Sequence, residues 1–258
     1  MEQQVLKRLL LWLIAVITIV SIAQVPAISQ TTDYHHFADE RSWLGVPNFG
    51  NVISNLPFFI IGLAGIVYVA NHRNQLADFY WGGLTFSIGV LLVAFGSGYY
   101  HWAPSNETLL WDRLPMTIGF MGLYALIVSA FVKVESGVRL LPWLIVAGIL
   151  SVLYWYFTES IGKGDLRWYA LVQFLPMVLT LCILVMFKVE GLNRGKLVMV
   201  LCWYGVAKLL EMGDVFLLDL TSHISGHSLK HVAAAIACYF VLSWLKSIVL
   251  SQSKYAAG

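Results

Sequence analysis

The residues of this 258-residue chain with the most chemical capacity fall in two stretches, "GSGYYHWAPSNETLLWDRLPM" at 96–116 and "GHSLKH" at 226–231. His227 and His231 stand four residues apart, so on a helix both imidazoles project from one face, one turn from each other. That spacing suits two ligands of a single zinc ion. A third imidazole is needed for a site that keeps one position open for water, and His101 is the candidate at matching depth in the apolar pattern. Ser97 lies four residues before His101, on the same helical face, and Asp112 opens the next apolar run. Asp112 suits proton transfer, or else a helix-start carboxylate favoured by the dipole. Ser97 suits a donor to a developing oxyanion, or else a bond back to its own helix. The chemistry such a group performs is metal-assisted hydrolysis.

The other histidines, His35, His36, His72 and His223, read as hydrogen-bonding or interfacial residues. Lys208 and Glu211, three apart in an apolar run, read as an internal ion pair, with Asp214 a turn beyond Glu211. Lys230 and Asp219 lie near the membrane interface, where a lysine stem snorkels. Cys182, Cys202 and Cys238 each fall within an apolar run, without the spacing of a disulfide framework or a thiolate metal site.

The elements that must position these groups are membrane-spanning helices. The chain is 59% hydrophobic and 12% charged, about half the charged fraction of a soluble domain. Eight apolar runs, at about 9–28, 52–70, 79–100, 109–132, 140–157, 168–187, 197–218 and 229–250, are long enough to cross a hydrocarbon core of about 30 Å. Short alternating strands are absent, so the backbone must be satisfied within helices. The expected fold is an all-α integral membrane bundle. Residues 1–30 read as a transmembrane helix or a signal segment, since Lys7 and Arg8 precede the first run and Ala27 and Ser29 follow it. Residues 31–50 form a polar, aromatic, non-cytoplasmic loop long enough to cover the bundle mouth, and 51–252 form a seven-helix core. Pro57, Pro115 and Pro176 lie near or inside helices, where each removes a backbone donor.

The formal net charge of +2 does not point to nucleic acid, because the basic residues occupy short loops. Their placement orients the chain. With the N-terminus in the cytoplasm, that side holds Lys7, Arg8, Arg73, Lys133, Arg139, Lys188, Arg194, Lys196, Lys246 and Lys254. The opposite side keeps Arg41, Arg113, Lys163 and Arg167. This asymmetry places both termini in the cytoplasm and the histidines near the non-cytoplasmic face.

Three blocks, "NVISNLPFF" at 51–59, the stretch at 96–116 and "GHSLKHVAAA" at 226–235, resemble the signature blocks of the alkaline ceramidases. More broadly they resemble the CREST superfamily of zinc-dependent membrane hydrolases. The resemblance implies a seven-helix core with zinc on His101, His227 and His231, Asp112 following the first ligand, and Ser97 beside the metal-bound water. It also implies amide hydrolysis of a ceramide-type membrane lipid to a sphingoid base and a fatty acid. The family's acidic, calcium-binding segment corresponds here to Asp39, Glu40, Asn48 and Asn51, at shorter spacing and with Asn48 at an expected acidic position. Oxygen donors of this kind suit calcium. The helix at 9–28 lies outside the family core. Three rival functions stay open at this point: an ester lipase, a lipid-binding receptor of the same superfamily, and an ion- or proton-coupled transporter using Lys208 and Glu211. Site depth separates the last, because a transporter concentrates its charges at mid-membrane.

Overall fold

The structure, a computed structural model, describes residues 2–256. Helix α1 spans Glu2–Gln24; a short α2, Phe49–Ile53, leads into α3, Leu56–Asn71. Then come α4 (Arg73–Leu76), α5 (Tyr80–Trp102), α6 (Asn106–Ile127, extended by a π-helical turn Val128–Val132) and α7 (Val134–Ser160). The chain ends with α8 (Arg167–Met186), α9 (Arg194–Met212), α10 (Asp214–Thr221) and α11 (Gly226–Ala256). Among the described residues no strand forms, and an isolated bridge between Trp43 and Val46 closes a loop turn.

Among the described residues seven helices are long and apolar enough to cross a membrane. The outward faces of α1, α7 and α8 expose Trp12, Leu13, Trp143, Phe157, Leu181 and Val185, the side chains that a water-soluble bundle buries. The chain is therefore a multi-pass membrane protein. The run at 197–218 departs from the sequence pattern: it breaks at Gly213 into α9 and α10. The interruption falls at a glycine, a residue that weakens a helix interior, and α9 itself carries Arg194, Lys196, Lys208 and Glu211. Although less apolar, α9 packs along α11.

Helix α1 lies on the outside of the bundle along α8, and Leu11 is its one buried side chain among the described residues. Its start is held by Arg8, whose Nη2 donates to the Val132 carbonyl at 3.0 Å. Beyond its far end the Ile28 carbonyl accepts from the Leu166 amide at 2.8 Å. Asp165 and Arg167 form a two-pronged ion pair, at 2.8 and 2.7 Å, and Arg167 reaches on to the Ala23 and Val25 carbonyls.

Helices α5 and α6 touch backbone to backbone. A Cβ at Gly89 would overlap Gly119, and one at Gly96 would overlap the Trp111 carbonyl, so glycine permits the approach. This closeness sets the relation between the segment carrying Ser97 and His101 and the segment carrying Asp112. Pro115 and Pro176 lie inside α6 and α8, whereas Pro57 sits in the first turn of α3, where no intrahelical bond is lost.

Candidate metal centre

Two helix starts are built by local side chains. Helix α6 opens on a capping box: Ser105 Oγ accepts from the Thr108 amide at 3.2 Å, and Thr108 Oγ1 accepts from the Ser105 amide at 3.0 Å. Helix α11 opens at Ser225, whose Oγ accepts from the Ser228 amide at 3.1 Å. Asp214 adds a second anchor, its Oδ1 accepting from the His227 amide at 2.8 Å and its Oδ2 from the Ala38 amide at 3.1 Å. Asn51 Oδ1 accepts from the Ser228 hydroxyl at 2.9 Å, which ties α2 to α11.

These starts bring His101, at the end of α5, against His227 and His231, at the beginning of α11. The ring centroids are 4.8 Å apart for His101–His227 and for His101–His231, and 5.1 Å for His227–His231. All three side chains are buried, and one ligand atom from each lies within 4.8 Å of the others. His101 Nε2 and His227 Nε2 face each other at 3.3 Å. Two metal–nitrogen bonds of about 2.0–2.1 Å at a tetrahedral angle span a similar distance, so this pair fits one ion without rearrangement.

The protonation pattern of His231 follows from its partner. Ser54 Oγ donates to the Asn51 carbonyl at 3.0 Å and lies 2.8 Å from His231 Nδ1. With the hydroxyl proton committed to Asn51, His231 Nδ1–H donates to Ser54, and Nε2 keeps its lone pair for a metal. His101 Nδ1 is buried without a partner. Asn48 Nδ2 donates to the His101 carbonyl at 2.9 Å, closing the end of α5.

Ser97 and Asp112 line, with His231, a cavity of about 400 Å³ that runs down into the bundle. Its deeper wall is apolar, built by Phe86, Val90, Leu123, Ile127, Leu197 and Val241. That volume lies in the ligand-pocket range of roughly 300–1,000 Å³. Over the histidines lies the segment 31–50. Phe37 packs at a tilt against both rings, its centroid 4.7 Å from that of His101 and 4.9 Å from that of His227. His35 pins this cover, Nδ1 3.0 Å from the Tyr100 hydroxyl and Nε2 3.0 Å from Asn106 Oδ1, and burial holds its imidazole below the ordinary histidine pKa.

The four calcium candidates do not present an oxygen cage. Both Asp39 oxygens bind Arg41, at 2.7 Å to Nε and 2.8 Å to Nη2, and this guanidinium holds the carboxyl below the usual carboxylate range. Asn51 spends its amide on the Asp39 carbonyl (3.3 Å) and its oxygen on Ser228. Asn48 donates its Nδ2 to the His101 carbonyl, and Glu40 is exposed beside His36, 3.7 Å away. A calcium ion bound to Asp39 would have to displace the Arg41 guanidinium.

Lys230 departs from the expected snorkelling. It turns inward to Glu211 at 2.7 Å, and Lys208 reaches the same carboxylate at 2.7 Å. All three line the cavity of Ser97 and Asp112, so they form no separate mid-membrane path. His72 binds the Tyr68 carbonyl at the opposite end, and the three cysteines are free.

Sequence reasoning missed Phe37, Asn51 and Ser54 as supports of the histidines, and Asp214 as the anchor of α11. Asn51 and Ser54 stand at i, i+3 ahead of an apolar run, a weak signal that only a partner explains. Asp214 gave a stronger one, because a carboxylate flanked by apolar residues needs a donor. A family model described as Ceramidase matches residues 45–257. No curated protein matches the chain.

Proposed function

Because the chain belongs to the ceramidase family, we propose that it hydrolyses the amide bond of ceramide-type membrane lipids, with His101, His227 and His231 holding a zinc ion. The observation that carries this reading is one juxtaposition. Three buried imidazoles cluster together, and one of them, His231, lines an apolar cavity with Ser97 and Asp112.

A zinc ion held by three neutral imidazoles supplies Lewis acidity and brings the ionisation of water near neutral pH. The chain's own groups do the rest. Asp112 takes a proton from the attacking water and returns it to the amide nitrogen as the C–N bond breaks, giving a sphingoid base and a fatty acid. Ser97 donates its hydroxyl to the carbonyl oxygen as charge develops there. Phe37 and the cover segment exclude bulk water from above, and the apolar wall receives a hydrocarbon chain.

The charge distribution supports cytoplasmic termini and a site on the opposite face. The same reading divides the chain into residues 1–30, a peripheral helix, 31–50, the cover, and 51–252, the hydrolytic core. The test is elemental analysis of purified protein followed by a panel of fluorescent ceramides and glycerolipid esters. About one zinc per chain and release of fatty acid from the amides are expected. Turnover of esters alone would make the protein a lipase, and turnover undiminished by a zinc chelator would remove the metal from the reaction.

A further inference from the structure

Arg113, one residue after Asp112, is 4% exposed and lines the same cavity. Its guanidinium carbon lies 4.1 Å from the Trp155 ring centroid, 4.7 Å from that of Tyr169 and 5.6 Å from that of Tyr34. Nη2 donates to Gln30 Oε1 at 2.6 Å, whereas Nη1 is buried without any partner. Arg41 and Arg167 each grip an aspartate two residues away. Arg113 pairs with no carboxylate among the described residues, although Asp112 is its neighbour in the chain.

Aromatic faces hold a guanidinium in place but offer no acceptor for a specific N–H. A charge this deep, with one donor idle, is the arrangement expected of a group that awaits an anionic partner. The surroundings agree. Lys208 and Lys230 share the single carboxylate of Glu211, so the polar end of the cavity holds three cations, Arg113, Lys208 and Lys230, against Glu211 and Asp112. A neutral headgroup bearing only hydroxyls has no use for that surplus.

We propose that Arg113 anchors an oxyanion subsite inside the cavity, its free Nη1 taking a charged oxygen of a lipid. Resting on the hydrolase reading, the subsite has two sources of such an oxygen: a phosphate on the substrate headgroup, or the carboxylate of the released fatty acid. A planar fork over three rings suits either, because guanidinium binds oxyanions directionally.

The test compares wild type with Arg113→Gln and Arg113→Lys in phosphatidylcholine nanodiscs, measuring kcat/KM for ceramide and ceramide 1-phosphate and inhibition by palmitate. If the oxygen belongs to the headgroup, wild type favours the phosphorylated lipid about tenfold or more, and Arg113→Gln loses that preference. If it belongs to the product, palmitate inhibits wild type, and inhibition weakens about tenfold or more in Arg113→Gln. Arg113→Lys should recover part of either effect. A wild type with neither preference nor inhibition overturns the subsite, whatever the variants do. A wild type that cleaves no ceramide at all overturns the hydrolase reading instead. In that event thermal shift with palmitate and ceramide 1-phosphate decides the subsite, and the absence of any shift rejects it.

Discussion

At the histidine end of the bundle the interior is filled by Asn51, Ser54, Asn55, Ser225, Ser228 and three imidazoles, all buried. At the opposite end the equivalent space is filled by Leu126, Ile127, Phe131, Ile183, Phe187 and Trp244. The two ends are built on different physics. Within a bilayer, apolar packing gains little over contact with lipid, so the opposite end is specified by shape and volume. Buried polar groups instead require partners at fixed distances, so the histidine end has a single workable arrangement. Loss at the histidine end should therefore come in discrete functional steps, and loss at the opposite end should follow the volume removed.

The sharpest break should come from His231→Ala, which removes one nitrogen of the proposed donor set. Metal content and ceramide turnover should both fall to background, as read by elemental analysis and a fluorescent ceramide; full metal retention would sink the ligand assignment. Next in size is Asp112→Asn, expected to keep the metal while lowering kcat by about 10²–10⁴-fold. Normal turnover in that variant would return Asp112 to the role of a helix-start carboxylate.

Ser54→Ala probes the hydrogen bond behind His231 and should weaken metal affinity by about 10–100-fold in a chelator competition. Unchanged affinity would mean that packing alone orients the ring. A smaller effect is expected from acid on the cover segment. His35 has its pKa lowered in the folded chain, so the unfolded chain binds more protons as the pH falls. The contribution of neutral His35 is present above about pH 6.5 and is lost below it, and nearby Arg113 and His36 disfavour the charged ring further. Hydrogen exchange across residues 32–39 should rise below that pH, and the rise should be absent in His35→Gln.

The mildest change belongs to the opposite end. Ile183→Val removes one buried methylene and should cost about 0.5–1.5 kcal/mol of stability, with metal content and kcat unaltered. A loss of metal in this variant would show that the two ends are coupled, and the contrast between them would fail.

Much of the fold was legible from run lengths, and the histidine spacing was legible from the helical period. Other features were hidden for identifiable reasons. The break falls at Gly213, a single residue that an average of hydropathy over the whole run does not register. Lys230 looked interfacial because its partner Glu211 lies 19 residues back, on the neighbouring helix α9. The calcium set looked plausible by composition, yet Arg41 already satisfies Asp39.

By itself the sequence determined an all-helical membrane chain, because an apolar run of some 20 residues has one way to satisfy its backbone in lipid. It also determined that His227 and His231 share a face, since that is a property of one helix. Only the tertiary structure decided that His101 meets them, that Ser54 sets the proton on His231, and that Arg113 lines the cavity with no carboxylate paired to it among the described residues. These are relations between helices, fixed by how closely α5 and α6 approach at Gly89 and Gly96 and by how Asn51 and Asp214 hold α11. Local periodicity orients a side chain on its own helix, but it carries no information about which distant helix will stand opposite.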